Sequence, residues 1–378
     1  MARPSWSRAG WIAGLAIGLG VGLGLIGLWR TSIAGSAEPS VSHARPAGQP
    51  IRLAILGDSD SQAYHDTVNF PSGSAWRGGP HRAQTWQWSE TLDQLRAGQL
   101  DLGAWGIWGT PQPIALLQDA MGLGGRSPRK MDHQFNFAQS GAGCEALVRY
   151  RMASRLVKLM DQAPQAWERG IVVIRIGIND LGTSDVLQAL SRDPLDPLVQ
   201  ARVAACLAQH AQAMALIHAH HPTTRIVLVG LFNNVDWPPY AGRWQSPQAL
   251  AHIHQGLARF NTTLRQWADW DPRLAYFDDE AWYAAHWGTR DANGQPAYHA
   301  VNPDGRHPTH HSQGDALDHA TLADGHAGTV WNVLWACALV ELINQRFAAG
   351  IEPITDAEVA RFLSQQDARA ALPSTPTP

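Results

Sequence analysis

Cysteine is scarce in this chain: Cys144, Cys206 and Cys337 are the three among 378 residues. Their odd number and wide spacing argue against a disulfide framework, and no CxxC or Cys/His spacing offers a metal site. Each lies in an apolar, helix-like context, so buried free thiols are expected. Charge is scarce as well, at 16% Asp, Glu, Lys and Arg, with a formal net charge of −3. That balance gives no electrostatic case for a nucleic-acid partner. Histidine is not scarce (17), but the cluster His307, His310 and His311 falls in a loop-like segment, and no metal is expected there.

Apolar residues make up 45% of the chain, ample for one large or two small cores. Tryptophan is abundant at 17. Most of these rings are expected in the core, with a minority lining an open groove where they could stack on sugars or other flat faces. Residues 11–29 (WIAGLAIGLGVGLGLIGLW) carry no charge. At about 1.5 Å per residue in a helix, this stretch just spans a hydrocarbon core. Arg3 and Arg8 precede it, which favours a cytoplasmic N-terminus. A membrane anchor over 1–30 is the expected reading. A cleaved signal peptide competes, because Ala34-Gly35-Ser36-Ala37 offers a small-residue cleavage site. Either way the remainder is exported, to a periplasmic or extracellular location. Residues 31–50, rich in Ser, Ala, Pro and Gly, read as a linker. A domain over 51–350 and a partly disordered tail over 351–378 complete the expected division.

The domain is organised around residues 51–61, IRLAILGDSDS. The apolar run Leu53 to Leu56 stops at Gly57-Asp58-Ser59, as a buried parallel strand does where its carboxyl end opens into a turn. Ligands of open α/β sheets bind at such ends. The plainer reading is a strand-to-helix turn with Ser59 or Asp60 as N-cap.

Further strands are expected over 133–138, 170–178, 224–232 and 273–277, with a short one near 100–105. Helices are expected over 87–96, 110–121, 144–161, 196–220, 248–270 and 328–347. Residues 281–325 look irregular. Strands alternating with helices imply a parallel sheet covered on both faces. Polar or glycine signatures then gather at one sheet edge: Gly57-Asp58-Ser59, residues 136–141, Gly177 to Asp180, and Asp324-Gly325-His326 ahead of the last apolar helix.

These segments resemble the sequence blocks of the SGNH/GDSL hydrolase family of lipase- and esterase-like enzymes, over roughly 51–345. The resemblance implies a three-layer, flavodoxin-like α/β fold and no cofactor. Gly57, Asp58 and Ser59 match the GDS block and imply Ser59 as nucleophile. Asn136-Phe137-Ala138-Gln139-Ser140-Gly141 matches N-x-G-x-x-G except that Ala138 replaces a glycine, and implies Gly141 in an oxyanion hole. Gly177, Asn179 and Asp180 match G-x-N-D and imply Asn179 as a side-chain oxyanion donor beside the Ser59 N–H.

The last block departs from the family's D-x-x-H. Asp304 and His307 keep that spacing, but no helix-like run follows them directly. Asp324 and His326 sit in the right place with one residue fewer, which a turn at Gly325 could absorb. His326 as base with Asp324 orienting it is the expected pair, because a helix start packed on the core holds a base more rigidly than a polar loop. The resemblance implies ester hydrolysis through an acyl-enzyme, and the exported location with abundant Trp suggests an acetyl or short acyl ester on a carbohydrate or envelope glycan, with lipid or other acyl esters behind it. An O-acyltransferase with the same triad, and a catalytically silent glycan-binding domain, are the rivals.

Overall fold

In this computed structural model the described residues are 49–370, apart from His307. Five parallel strands form the central sheet: β1 (Ile51–Gly57), β2 (Leu100–Asp101), β5 (Ile171–Arg175), β6 (Arg225–Val229) and β7 (Leu274–Phe277). Their spatial order is β2-β1-β5-β6-β7. Counted within the sheet this is 2-1-3-4-5, the flavodoxin-like order. Two small pairs lie outside it, β3 (Trp105–Trp108) with β4 (Lys130–His133), and β8 (His310–Gln313) with β9 (His319–Thr321).

Period two divides each strand between two cores. Ala54, Leu56, Val172, Ile174, Ile226 and Leu228 face one side. There they meet α3 (Met152–Met160), α6 (Pro197–His220) and α7 (Pro247–Trp270). Leu53, Ile55, Ile171, Val173, Val227 and Val229 face the other. They meet α1 (Trp88–Arg96), α8 (Asp279–Trp287) and α9 (Thr329–Phe347). Burial on both faces is why these strands read as continuous apolar runs. The remaining helices are α2 (Gln112–Ala120), the single turn α4 (Ile178–Leu181), α5 (Ser184–Arg192) and α10 (Asp356–Ala370).

Local chemistry sets the helix starts. The Asp196 carboxylate accepts the Leu198 and Val199 N–H groups at 3.0 Å, with Pro197 in the first turn of α6. Gln87 and Glu90 form a reciprocal capping box on α1. The Glu90 carboxylate also accepts the Tyr64 and His65 N–H groups, which fastens the loop after β1 to that helix.

Several expectations are corrected. Residues 133–138 are not a strand of the central sheet. Residues 130–133 pair antiparallel with β3, and the chain then runs beside β1 through three bonds: Ile55 N–H to Phe135, Phe137 N–H to Ile55 and Gln139 N–H to Gly57. The helix expected over 144–161 is interrupted at Arg151, whose φ is +65°, and only Met152–Met160 is α-helical.

Cys144 and Cys206 are not free thiols. The turn before Cys144 presses it against α6, their Cα atoms are 5.1 Å apart, and the two form a disulfide. That separation suits the bond. Cys337 stays free. Residues 281–325 contain most of α8 as well as β8 and β9. The segment after 350 forms α10, which packs Val359, Phe362 and Leu363 on α9. Among the described residues no helix is long and apolar enough to cross a membrane. The expected anchor over 1–30 lies outside the described residues.

Candidate active site

β1 ends at Gly57, whose register partner is Arg175 at the end of β5. A side chain cannot enter there: a Cβ on Gly57 would lie 2.8 Å from the Arg175 carbonyl oxygen. The next residues turn at once. The Asp58 carbonyl accepts the Ser61 and Gln62 N–H groups at 3.1 Å, and its carboxylate accepts the Asp60 N–H at 3.0 Å. Burial pushes the Asp58 carboxyl well above the usual range, and the charge of Asp60 adds to it. Asp58 thus braces the turn, and Ser59 is left facing a cavity that His326, Asn179, Trp237 and Tyr240 also line.

Asn136 ties this turn to the next loop. Its Nδ2 donates to the Ser61 carbonyl at 2.7 Å, and its Oδ1 accepts the Ala138 N–H at 2.9 Å. Ser140 N–H reaches Gln62 Oε1 at 2.7 Å. Gly141 then takes φ +76° with nothing packed against its Cα side. Neither the Ser59 nor the Gly141 N–H donates to another described group. Gly141 is not among the residues lining the cavity around Ser59. Asn179 lies in α4, exposed, and gives one Nδ2 hydrogen to the Ala142 carbonyl at 3.0 Å, which leaves the other available. Asp180 accepts the Cys144 N–H at 2.7 Å and is structural. Burial raises its pKa against that bond.

Asp324 and His326 meet on a three-residue turn between β9 and α9. His326 Nδ1 lies 3.0 Å from Asp324 Oδ1. Gly325 takes φ +86°, and a Cβ there would collide with the Trp237 ring at 2.4 Å. The left-handed residue is what lets a spacing of two bring both side chains together. Trp237 Nε1–H donates to the Gly325 carbonyl at 2.7 Å, and the Tyr64 hydroxyl to the Ala327 carbonyl at 2.9 Å.

One participant carries no signal in the sequence. Arg77, buried in the loop before α1, donates from Nη1 to Asp324 Oδ2 at 2.6 Å and from its backbone N–H to the same oxygen at 2.9 Å. Its Nη2 reaches Ser140 Oγ at 3.1 Å, so it bridges the base turn and the Gly141 loop. Burial favours a neutral Asp324, but the hydrogen bond and charge of His326, with the Arg77 cation, hold its carboxyl well below the usual range.

Arg77 Nη1 also lies 2.6 Å from His326 Nδ1. Asp324 Oδ1 favours the tautomer with the proton on Nδ1, which leaves the Nε2 lone pair free to act as a base, whereas the Arg77 guanidinium, a donor only, pairs with an Nδ1 lone pair.

His307 lies outside the described residues. Asp304 accepts the Arg306 N–H at 2.8 Å and does not line the cavity. His311 is spent on the Asp236 carbonyl at 2.6 Å and on stacking with Tyr298. Cys144, Cys206 and His210 cluster within 4.8 Å, but the two sulfurs are already bonded to each other.

A parallel sheet of this order brings Ser59 and the Asp-paired His326 to one cavity at its carboxyl edge. The chain belongs to the GDSL-like lipase/acylhydrolase family, whose model matches residues 103–313, more than half of the chain. The matched stretch contains 136–141 and 177–180 and excludes Ser59, Asp324 and His326. No curated protein matches the chain.

Among solved structures, the lipase Lip_vut3 from a goat rumen metagenome is similar at 10% identity and TM-score 0.38, covering 81% of this chain and all of that one. A Clostridium thermocellum family 3 carbohydrate esterase is similar at 13% identity and TM-score 0.35, over 80% of this chain and all of that one. A gut microbial diltiazem-metabolizing enzyme is similar at 14% identity and TM-score 0.34, over 64% of this chain and 39% of that one. At these scores the likenesses decide neither activity nor substrate.

Proposed function

We propose that this ester hydrolase is an exported serine esterase acting on an acetyl or short acyl ester of a carbohydrate or envelope component. The observation that carries the reading is that Ser59 and the Asp324-paired His326 line one cavity. Ser59 Oγ attacks the ester carbonyl carbon while His326 Nε2 takes its proton. The Ser59 N–H and the second Asn179 Nδ2 hydrogen stabilise the oxyanion, and the family resemblance adds the Gly141 N–H, which does not line this cavity. His326 then protonates the leaving alcohol, and water, deprotonated by the same nitrogen, releases the acid and restores Ser59. Arg77 keeps Asp324 ionised throughout.

Support for a carbohydrate alcohol comes from the cavity wall. Phe232, Trp237, Tyr240 and Trp331 offer flat apolar faces, and Asn234 and Thr183 offer polar partners. Sugar rings are bound by that combination. Support for export and for an anchored location comes from the charge-free run at 11–29.

The test is fluorophosphonate labelling followed by peptide mass spectrometry. Stoichiometric labelling at Ser59 is expected, abolished in Ser59→Ala and His326→Ala. Labelling that persists in Ser59→Ala, or its absence from folded wild type, overturns the assignment. Hydrolysis of acetylated glycans weaker than that of longer acyl esters overturns the substrate class alone.

A further inference from the structure

Helix α2 is built inside out. A surface helix ordinarily buries its apolar side and shows charge to water. Here the buried positions are Ala115 and Asp119. The Asp119 carboxylate accepts the Gly125 N–H at 2.9 Å and pairs with Arg155 at 3.2 Å, Lys158 at 3.3 Å and Arg151 at 3.5 Å. The outward positions are Ile114, Leu116 and Leu117, and the chain continues with exposed Met121 and Leu123. Leu117 is 60% and Leu123 69% exposed. Strand β3, ahead of the helix, turns Trp105 and Ile107 outward as well. So many exposed apolar side chains within one stretch of chain mark an interaction site rather than scatter.

Basic residues outnumber acidic ones around the row. Asp119 is the only acidic residue over 103–130, and it is buried and neutralised. Arg129, Arg149, Arg151 and Lys158 are basic and exposed, Arg149 pairing with exposed Glu145 at 2.8 Å and the last two meeting at the inner side of α2 through Asp119. Exposed Tyr150 sits between Arg149 and Arg151.

We propose that the face formed by β3, α2 and the loop to Leu123 lies on an anionic lipid surface, with the apolar row at the acyl boundary and the cations among the headgroups. Aliphatic residues flanked by Trp, Tyr and basic side chains are the composition of elements that rest in that interface. The sequence ahead of β1 suits this occupant. It holds a charge-free run long enough to span a bilayer, then a linker whose flexible reach is on the order of 25 Å. This inference does not depend on the ester chemistry.

The test uses the full chain in vesicles of phosphatidylglycerol and phosphatidylethanolamine, and in vesicles of phosphatidylcholine, with hydroxyl-radical footprinting read by mass spectrometry. Modification of Trp105, Met121 and Leu123 is expected to fall severalfold on the anionic vesicles relative to phosphatidylcholine. Trp270, 85% exposed and outside this face, should be modified equally on both. Leu117→Gln with Leu123→Gln, and separately Arg149→Gln with Arg151→Gln, should lose the difference while the rest of the footprint is kept. Equal modification of the face on both lipids overturns the proposal. So does protection that follows protein density and ignores lipid charge, which would assign the face to a second copy of the chain.

Discussion

The two sides of the candidate site are held by different physics. Ser59 and the Gly141 loop are positioned by main chain: β1 pairs with β5 on one edge and with residues 135–139 on the other, and Asn136 locks the two turns together. Asp324 and His326 sit on a glycine turn pinned by a buried cation that lies 247 positions earlier in the chain. A ladder of backbone bonds distributes its load, so no single side chain decides it. An ionic pin concentrates the load on one pair, and removing one member strands a buried charge.

Asp324→Asn is the sharpest way to break that asymmetry. It keeps the shape but removes the charge that sets the His326 tautomer, so kcat should fall by about 10⁴. It also leaves Arg77 buried without its anion, and urea denaturation should show a loss of about 3 kcal/mol or more. Stability equal to wild type would show that Arg77 is not the pin. On the main-chain side, Asn179→Ala should cost about 10² to 10³ in kcat with KM little changed, because a single oxyanion donor is lost while its neighbours stay in place. A loss as large as that of Asp324→Asn would erase the contrast between the two sides.

The Cys144–Cys206 bond reinforces the main-chain side by tying the residue after the Gly141 loop to α6. Reduction should lower stability by about 2–4 kcal/mol, read from urea midpoints with and without reductant. Finding both thiols free in a non-reducing peptide map would remove this strut altogether. The smallest effect concerns α10, remote from both sides. Hydrogen bonds from Arg96 and the Thr355 N–H hold Glu358 down at about 2. A depressed carboxyl contributes fully above its unfolded value of about 4.3 and loses that contribution as pH falls through the folded one. Amide protection factors in α10, corrected for the intrinsic pH dependence of exchange, should therefore fall from about pH 4 toward 2, before the central sheet loosens.

The parallel strands were legible because burial on both faces demands uninterrupted apolar runs such as 171–175. The runs ended in chemically distinct residues, so the sheet edge bearing Ser59 and Asn179 was legible too. Residues 133–138 misled because alternating apolar residues also suit an irregular segment that follows one strand closely. The helix over 144–161 misled because nothing local announces that Arg151 turns left-handed. α8 and α10 were missed where apolar residues are interleaved with acidic ones and the periodicity is weak. The thiols were misjudged because pairing depends on the distance between a turn and a helix, which a spacing of 62 residues does not encode.

The sequence by itself determined the class of sheet, the edge at which chemistry gathers and the serine presented there, because those follow from short-range periodicity and from where it stops. Only the tertiary structure decided that a two-residue spacing suffices for Asp324 to meet His326, that Arg77 clamps them, that Cys144 finds Cys206, and that α2 turns its apolar side outward. Each of these depends on which distant surfaces come into contact, and residues far apart in the chain leave no local pattern of that contact.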